Sequence, residues 1–334
     1  MKRLFTITTF ILFGVFFATP VFADTSENIF YYFPNTMGYQ SLEDHYRDID
    51  ILAPQIYTFG YDLKLGDIES DDAIKFAKKK RVDVMPLVVN ANFDINLMSQ
   101  LLANEDVQDD LIDDMIDEAR HRDYIGWQLD FENINHFDRQ RYVDFVKKVY
   151  KEFKKRDLVL SVAVIPRTTP YVQNSYDQDW SSGYDIGAIA DTSDFVSIMS
   201  YDDPKSIGPV SSMTYLNKVL DQTLKDTPAE KISLGIPFYC WQYELGNSKK
   251  IANVTYEISA NTQEKYKDAG VFSAYFDALE AEIFAFVKNG RVNYIWCDNE
   301  QSIEAKLDLV HDTGLRGISA WALGQEDLKV WKHF

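Results

Sequence analysis

The stretch Tyr124-Ile125-Gly126-Trp127-Gln128-Leu129-Asp130-Phe131-Glu132-Asn133 carries the decision about the fold. Read as a β-strand, its side chains alternate with a period of two. Trp127, Leu129 and Phe131 then share one face, and Gln128, Asp130 and Glu132 share the other. In a parallel barrel the apolar row packs against the surrounding helices, while the polar row points inward and climbs toward the C-terminal rim. Polar groups inside a barrel are costly unless they hydrogen-bond one another or serve a site above them. Two carboxyls ending at the rim favour a site over a purely structural polar cluster. Close together and sheltered, Asp130 and Glu132 cannot both ionise cheaply, so one carboxyl is expected to stay protonated. Glu132, the outermost, is the expected general acid. Asp130 is the expected charged partner, hydrogen-bonded by Gln128.

Outward from this strand, the rest of the chain repeats one theme. Short β-branched and aromatic runs at 28–34, 49–59, 82–90, 125–134, 159–166, 195–203, 232–239 and 315–323 read as strands. Stretches with helical periodicity at 71–80, 97–120, 139–155, 215–225 and 302–313 lie between most of them. Strand and helix alternating through the chain predict an α/β fold, a (β/α)8 TIM barrel, rather than an open doubly wound sheet. No GxGxxG follows the first strand, which argues against a dinucleotide site. Residues 241–296 are too long for one loop and helix. They are expected to form a small α+β insertion between strands seven and eight, with a strand over 250–259 and a helix over 277–288. Trp241, just after strand seven, is a candidate wall of the substrate cleft.

Residues 1–23 read as an export signal. Lys2 and Arg3 are followed by an apolar run to Ala18 and then by Val21-Phe22-Ala23, leaving 24–334 as the barrel. The whole chain of 334 residues carries 34 Lys+Arg against 52 Asp+Glu, a net charge of −18. That charge disfavours nucleic acid and anionic membranes as partners. Cys240 and Cys297 allow one disulfide or two separate buried thiols. Neither they nor the five histidines form a metal-ligand spacing, and no cofactor is implied.

The strand-four segment resembles the DGxDxDxE signature of glycoside hydrolase family 18, the chitinase family. Further resemblances follow in order: Met199-Ser200-Tyr201-Asp202 to the family's MxYD, then Leu234-Gly235-Ile236-Pro237-Phe238-Tyr239, and Gly317-Ile318-Ser319-Ala320-Trp321-Ala322-Leu323-Gly324. With Leu101-Leu102-Ala103-Asn104 and Trp296-Cys297-Asp298, the pattern is similar to the bacterial branch of spore-cortex-lytic N-acetylglucosaminidases.

This resemblance implies retaining hydrolysis in which the substrate's own N-acetyl oxygen is the nucleophile. Glu132 would protonate the leaving oxygen and later activate water. Asp130 would orient the acetamido group, and Tyr201 would hydrogen-bond its carbonyl. Gln128, Asp202 and Trp321 would complete the sugar-binding set, with Trp321 as the apolar floor. The implied substrate is an N-acetylated polysaccharide or oligosaccharide, either peptidoglycan or a chitin-type chain, met by a single copy of the protein. The signature is altered here: Ile125 and Gln128 replace its first two aspartates, and an amide cannot take a proton from Asp130. A family-18-like lectin that binds such glycans without cutting them is the alternative, but a lectin of this kind commonly lacks the acid that Glu132 supplies.

Overall fold

The computed structural model describes residues 26–68, 71–171, 180–203 and 206–334; the expected export signal lies outside them. Eight parallel strands close into a ring in sequence order: β1 (Glu27–Tyr32), β2 (Ile51–Phe59), β3 (Leu87–Asn90), β4 (Gly126–Asp130), β5 (Val159–Val164), β6 (Phe195–Ile198), β7 (Ile232–Pro237) and β8 (Gly317–Trp321). Pairing of β1 with both β2 and β8 shuts the barrel, with Ile29 opposite Ile51 on one side and Ser319 on the other. Helices such as Thr36–His45, Asp71–Lys80, Arg139–Lys154, Met213–Thr223 and Glu300–Thr313 form the connections.

Strand parity sorts the side chains of β4 as expected. Trp127, Leu129 and Phe131 are completely buried in the outer core, and the Trp127 indole donates to the Met115 carbonyl of a covering helix at 2.9 Å. Burying each such large apolar side chain contributes about 1.5–3 kcal/mol. A smaller apolar set, including Ile29, Ile51, Ala53, Met85, Leu87 and Phe195, fills the barrel interior.

Three elements differ from expectation. The helix foreseen over 97–120 is two helices, Ile95–Ala103 and Glu105–Arg122. Asn104 breaks the run because its side chain caps the second helix, accepting from Asp106 N at 3.1 Å and Val107 N at 3.3 Å. Residues 250–259 are only partly strand: Ala252–Thr255 pairs, and Thr255 then caps the helix Tyr256–Tyr266. The helix foreseen over 277–288 is a strand, Ala281–Lys288, hairpinned onto Arg291–Cys297. Its run of Ile283, Phe284, Phe286 and Val287 fits either period. The two-residue turn decides: Asn289 and Gly290 both take positive φ (52° and 74°), as a tight type I′ hairpin needs.

Together these segments make a five-stranded antiparallel sheet, in the order Ala252–Thr255, Tyr239–Glu244, Arg291–Cys297, Ala281–Lys288, Phe272–Phe276. Cys240 and Cys297 lie on neighbouring central strands and form a disulfide across a sequence separation of 57. Closing a loop of this length in the unfolded chain stabilises the fold by about 2–4 kcal/mol. The double variant Cys240→Ala/Cys297→Ala is therefore expected to unfold at lower denaturant, and an unchanged midpoint would refute the role.

Candidate active site

The C-terminal ends of the barrel strands enclose a cavity of about 420 Å³. Its wall includes Asp130 at the end of β4 and Glu132 just after it, Met199, Tyr201 and Asp202 after β6, Tyr239 after β7 and Trp321 at the end of β8. Of the residues singled out in the sequence, Asp130, Glu132, Tyr201, Asp202 and Trp321 therefore meet at one cavity. Gln128 and Trp241 do not line it.

Gln128 sits one layer deeper, fully buried, where it ties the barrel interior together. Its Oε1 accepts from the Tyr31 hydroxyl at 2.8 Å, and its Nε2 donates to Ser161 Oγ at 2.9 Å and Ser197 Oγ at 2.8 Å. Both amide hydrogens are thereby taken, so Gln128 does not donate to Asp130 as expected. Asp130 Oδ1 is buried with no hydrogen-bond partner. Burial first, and the charge of Glu132 second, push the Asp130 carboxyl well above the usual carboxylate range. The expectation that Asp130 rests as the charged member is thus corrected: a buried carboxylate with no donor is disfavoured.

Glu132 stands just beyond the end of β4, and its backbone is clamped by a residue the sequence did not flag. Buried Asn90, at the end of β3, accepts from Glu132 N at 2.9 Å and donates to Glu132 O at 3.1 Å. The side chain is held by a second unflagged residue: Trp180 Nε1 donates to Glu132 Oε2 at 2.7 Å. Burial raises the Glu132 pKa to about 7; the Trp180 bond opposes this rise, and the charge of Asp202 adds to it. A carboxylic acid in that range suits proton donation near neutral pH.

Tyr201 is buried, and loss of hydration raises its phenol pKa well above the ordinary value, keeping it a neutral donor. Its ring lies over Gly235 of β7, where a Cβ would come within 2.9 Å of Tyr201 Cε1 and 2.3 Å of the Ile198 carbonyl. A larger residue there displaces the tyrosine. Asp202 adopts a left-handed backbone (φ 56°), accepts from the Tyr239 hydroxyl at 2.6 Å and faces Lys250 Nζ at 3.7 Å. Trp321 is half-buried and packs edge-on against Phe33, with ring centroids 4.9 Å apart. Trp241 is buried in the neighbouring sheet with Lys250 Nζ 4.5 Å above its ring. The insertion reaches the cavity instead through Asn253.

The family model for Glycosyl hydrolases family 18 matches residues 23–326. This chain belongs to that family. It is thus a glycosidase, with a carbohydrate substrate. It is 26% identical over 310 residues to the "Uncharacterized glycosylase YvbX" of Bacillus subtilis, covering 89% of this chain and 87% of that protein. Identity to the "Cortical fragment-lytic enzyme" of the same organism is 28% over 249 residues, 72% of this chain and 56% of the relative. The fold matches a chitinase of Chromobacterium violaceum with a TM-score of 0.83 at 23% identity, covering 92% and 97% of the two chains. The spore cortex-lytic enzyme SleL of Bacillus megaterium matches at the same score and identity, covering 92% of this chain and 73% of that one.

Proposed function

We propose that this chain is an exported glycosidase that cleaves β-1,4 bonds after N-acetylglucosamine in peptidoglycan or chitin-type glycans, with retention and substrate assistance. The observation that carries this reading is the shared cavity: Glu132, with its raised pKa, opens into the same space as Asp130, Tyr201 and Trp321. In the proposed reaction Glu132 transfers its proton to the leaving glycosidic oxygen. The substrate's acetamido oxygen attacks the anomeric carbon as the glycosidic bond breaks, giving a cyclic oxazolinium. Tyr201 donates to that acetamido oxygen and holds the attack geometry. Asp130, protonated at rest, releases that proton to solvent as substrate binds and accepts from the acetamido N–H; positive charge developing on that nitrogen offsets the cost of the ionised carboxylate. Glu132, now a carboxylate, takes a proton from the water that opens the ring and is restored.

Export is supported by the basic and apolar character of residues 1–23 and by the Cys240–Cys297 disulfide, a bond that persists in oxidising compartments. Peptidoglycan and chitin stand together as substrates because relatives and structural neighbours carry both cortex-lytic and chitinase names. A single copy suffices for the reaction, since all the proposed groups come from one chain.

Purified chain incubated with peptidoglycan and with chitin oligomers is expected to release N-acetylglucosamine-terminated fragments, identified by mass. Tight oligomer binding without any product would favour the lectin reading instead. The acid must be protonated to act, so kcat/KM is expected to fall as pH rises through about 7. A profile flat from pH 6 to 9 would contradict Glu132 as the acid.

A further inference from the structure

The turn at residues 180–185 has no part in the barrel, yet it is fastened to the segment that carries Glu132. The Tyr184 hydroxyl donates to the Phe131 carbonyl at 2.7 Å, and Arg139, just beyond Glu132 in sequence, donates to the Tyr184 carbonyl. Arg139 also pairs with Asp185 at 3.2 Å, and Arg167 donates to Ser181 Oγ at 2.8 Å. Gly183 permits the close approach, since a Cβ there would lie 2.3 Å from Ile134 Cβ. The result of this fastening is the 2.7 Å bond from the Trp180 indole to Glu132 Oε2.

We propose that Trp180 is a positioning residue that decides which oxygen of Glu132 carries the transferable proton. An indole N–H only donates, so Oε2 must accept from it in both protonation states of the acid. The hydroxyl oxygen of a carboxylic acid is the poorer acceptor, so the proton resides on Oε1. Fixing Oε2 therefore fixes where the leaving glycosidic oxygen must lie to be protonated, and it also restricts rotation of the carboxyl group. The inference rests on Glu132 being the acid.

The same bond favours the ionised form of Glu132, while burial and the charge of Asp202 disfavour it; Asp130, whose own ionisation Glu132 opposes, lies in the same cavity. The phenols of Tyr184 and Tyr201 also face Glu132, each held neutral by burial, and Lys250 approaches from beyond Asp202. The cations that fasten the turn, Arg139 and Arg167, are engaged by Asp185 and by Ser181.

Trp180→Phe keeps an aromatic ring but removes the donor together with part of the indole. Its kcat is expected to fall about tenfold with KM changed less than twofold. The alkaline limb of its pH–rate profile is expected to move up by about one pH unit, since one charge-assisted hydrogen bond is lost. Replacing the indole by benzothiophene, which preserves the ring shape, guards against a packing effect and is expected to give the same shift. A limb unmoved in both variants overturns the proposal. Titration of the 13C-labelled Glu132 carboxyl by NMR, without substrate, separates the two levels of the argument. A shifted titration in a protein that hydrolyses no N-acetylglucosamine glycan would sink the catalytic reading and keep the Trp180–Glu132 coupling. An unshifted titration in an active enzyme would sink the coupling alone.

Discussion

Glu132→Gln is expected to reduce turnover of N-acetylglucosamine oligomers by roughly 10²–10⁴-fold while leaving oligomer binding and the fold intact. The amide has nearly the shape of the acid, and its carbonyl can take the place of Oε2 in accepting from Trp180. Its backbone clamp to Asn90 is unaffected, because both of those bonds use main-chain atoms of residue 132. What it lacks is a proton that it can give to a leaving oxygen. Steady-state kinetics paired with calorimetric titration of an oligomer separate the two effects. Wild-type turnover by the variant would remove Glu132 from the mechanism.

Lys306→Met is expected to destabilise the protein by about 3–5 kcal/mol. Lys306 Nζ lies 2.8 Å from Asp298 Oδ2, and both side chains are buried between the end of the insertion sheet and the helix Glu300–Thr313. Burial already raises the Asp298 pKa, and Lys306 opposes that rise. Without the cation, Asp298 must either remain as an unpaired buried charge or take up a proton. The penalty is therefore expected to shrink at low pH, where Asp298 is protonated. The double variant Lys306→Met/Asp298→Leu is expected to recover most of the loss, because an apolar pair removes the stranded charge. Equilibrium unfolding of the three proteins tests this, and a double variant no more stable than the single would contradict it.

Much of the barrel was legible because a period of two and short apolar runs are local signals. The parity of 124–133 correctly turned Trp127 toward the helices and Gln128 into the barrel. Parity could not assign the partners of Gln128, however. Tyr31, Ser161 and Ser197 come from three other strands, and their approach depends on barrel closure. Gln128 was accordingly read as a substrate contact although it is an interior strut. The sequence likewise leaves the disulfide as one of two alternatives, because the choice follows from the sheet register that sets Trp241 opposite Trp296. The hairpin after Ala281–Lys288 does carry a local signal, since Asn289-Gly290 is a strong two-residue turn pair. Asn90 could also have been suspected, as a polar residue ending a barrel strand. Nothing local marks Trp180, which lies outside the strand pattern and acquires its contact from the fastening of its turn to residues 131–139.

The central claim is that an acetamido oxygen of the substrate, rather than a protein group or water, makes the first attack on the anomeric carbon. The most direct measurement is time-resolved proton NMR of the first product released from an N-acetylglucosamine oligomer, recorded before mutarotation. The account predicts the β-anomer as the initial product, with no cleavage of the corresponding de-N-acetylated glucosamine oligomer. An initial α-anomer, or comparable cleavage of the oligomer without acetamido groups, would contradict it.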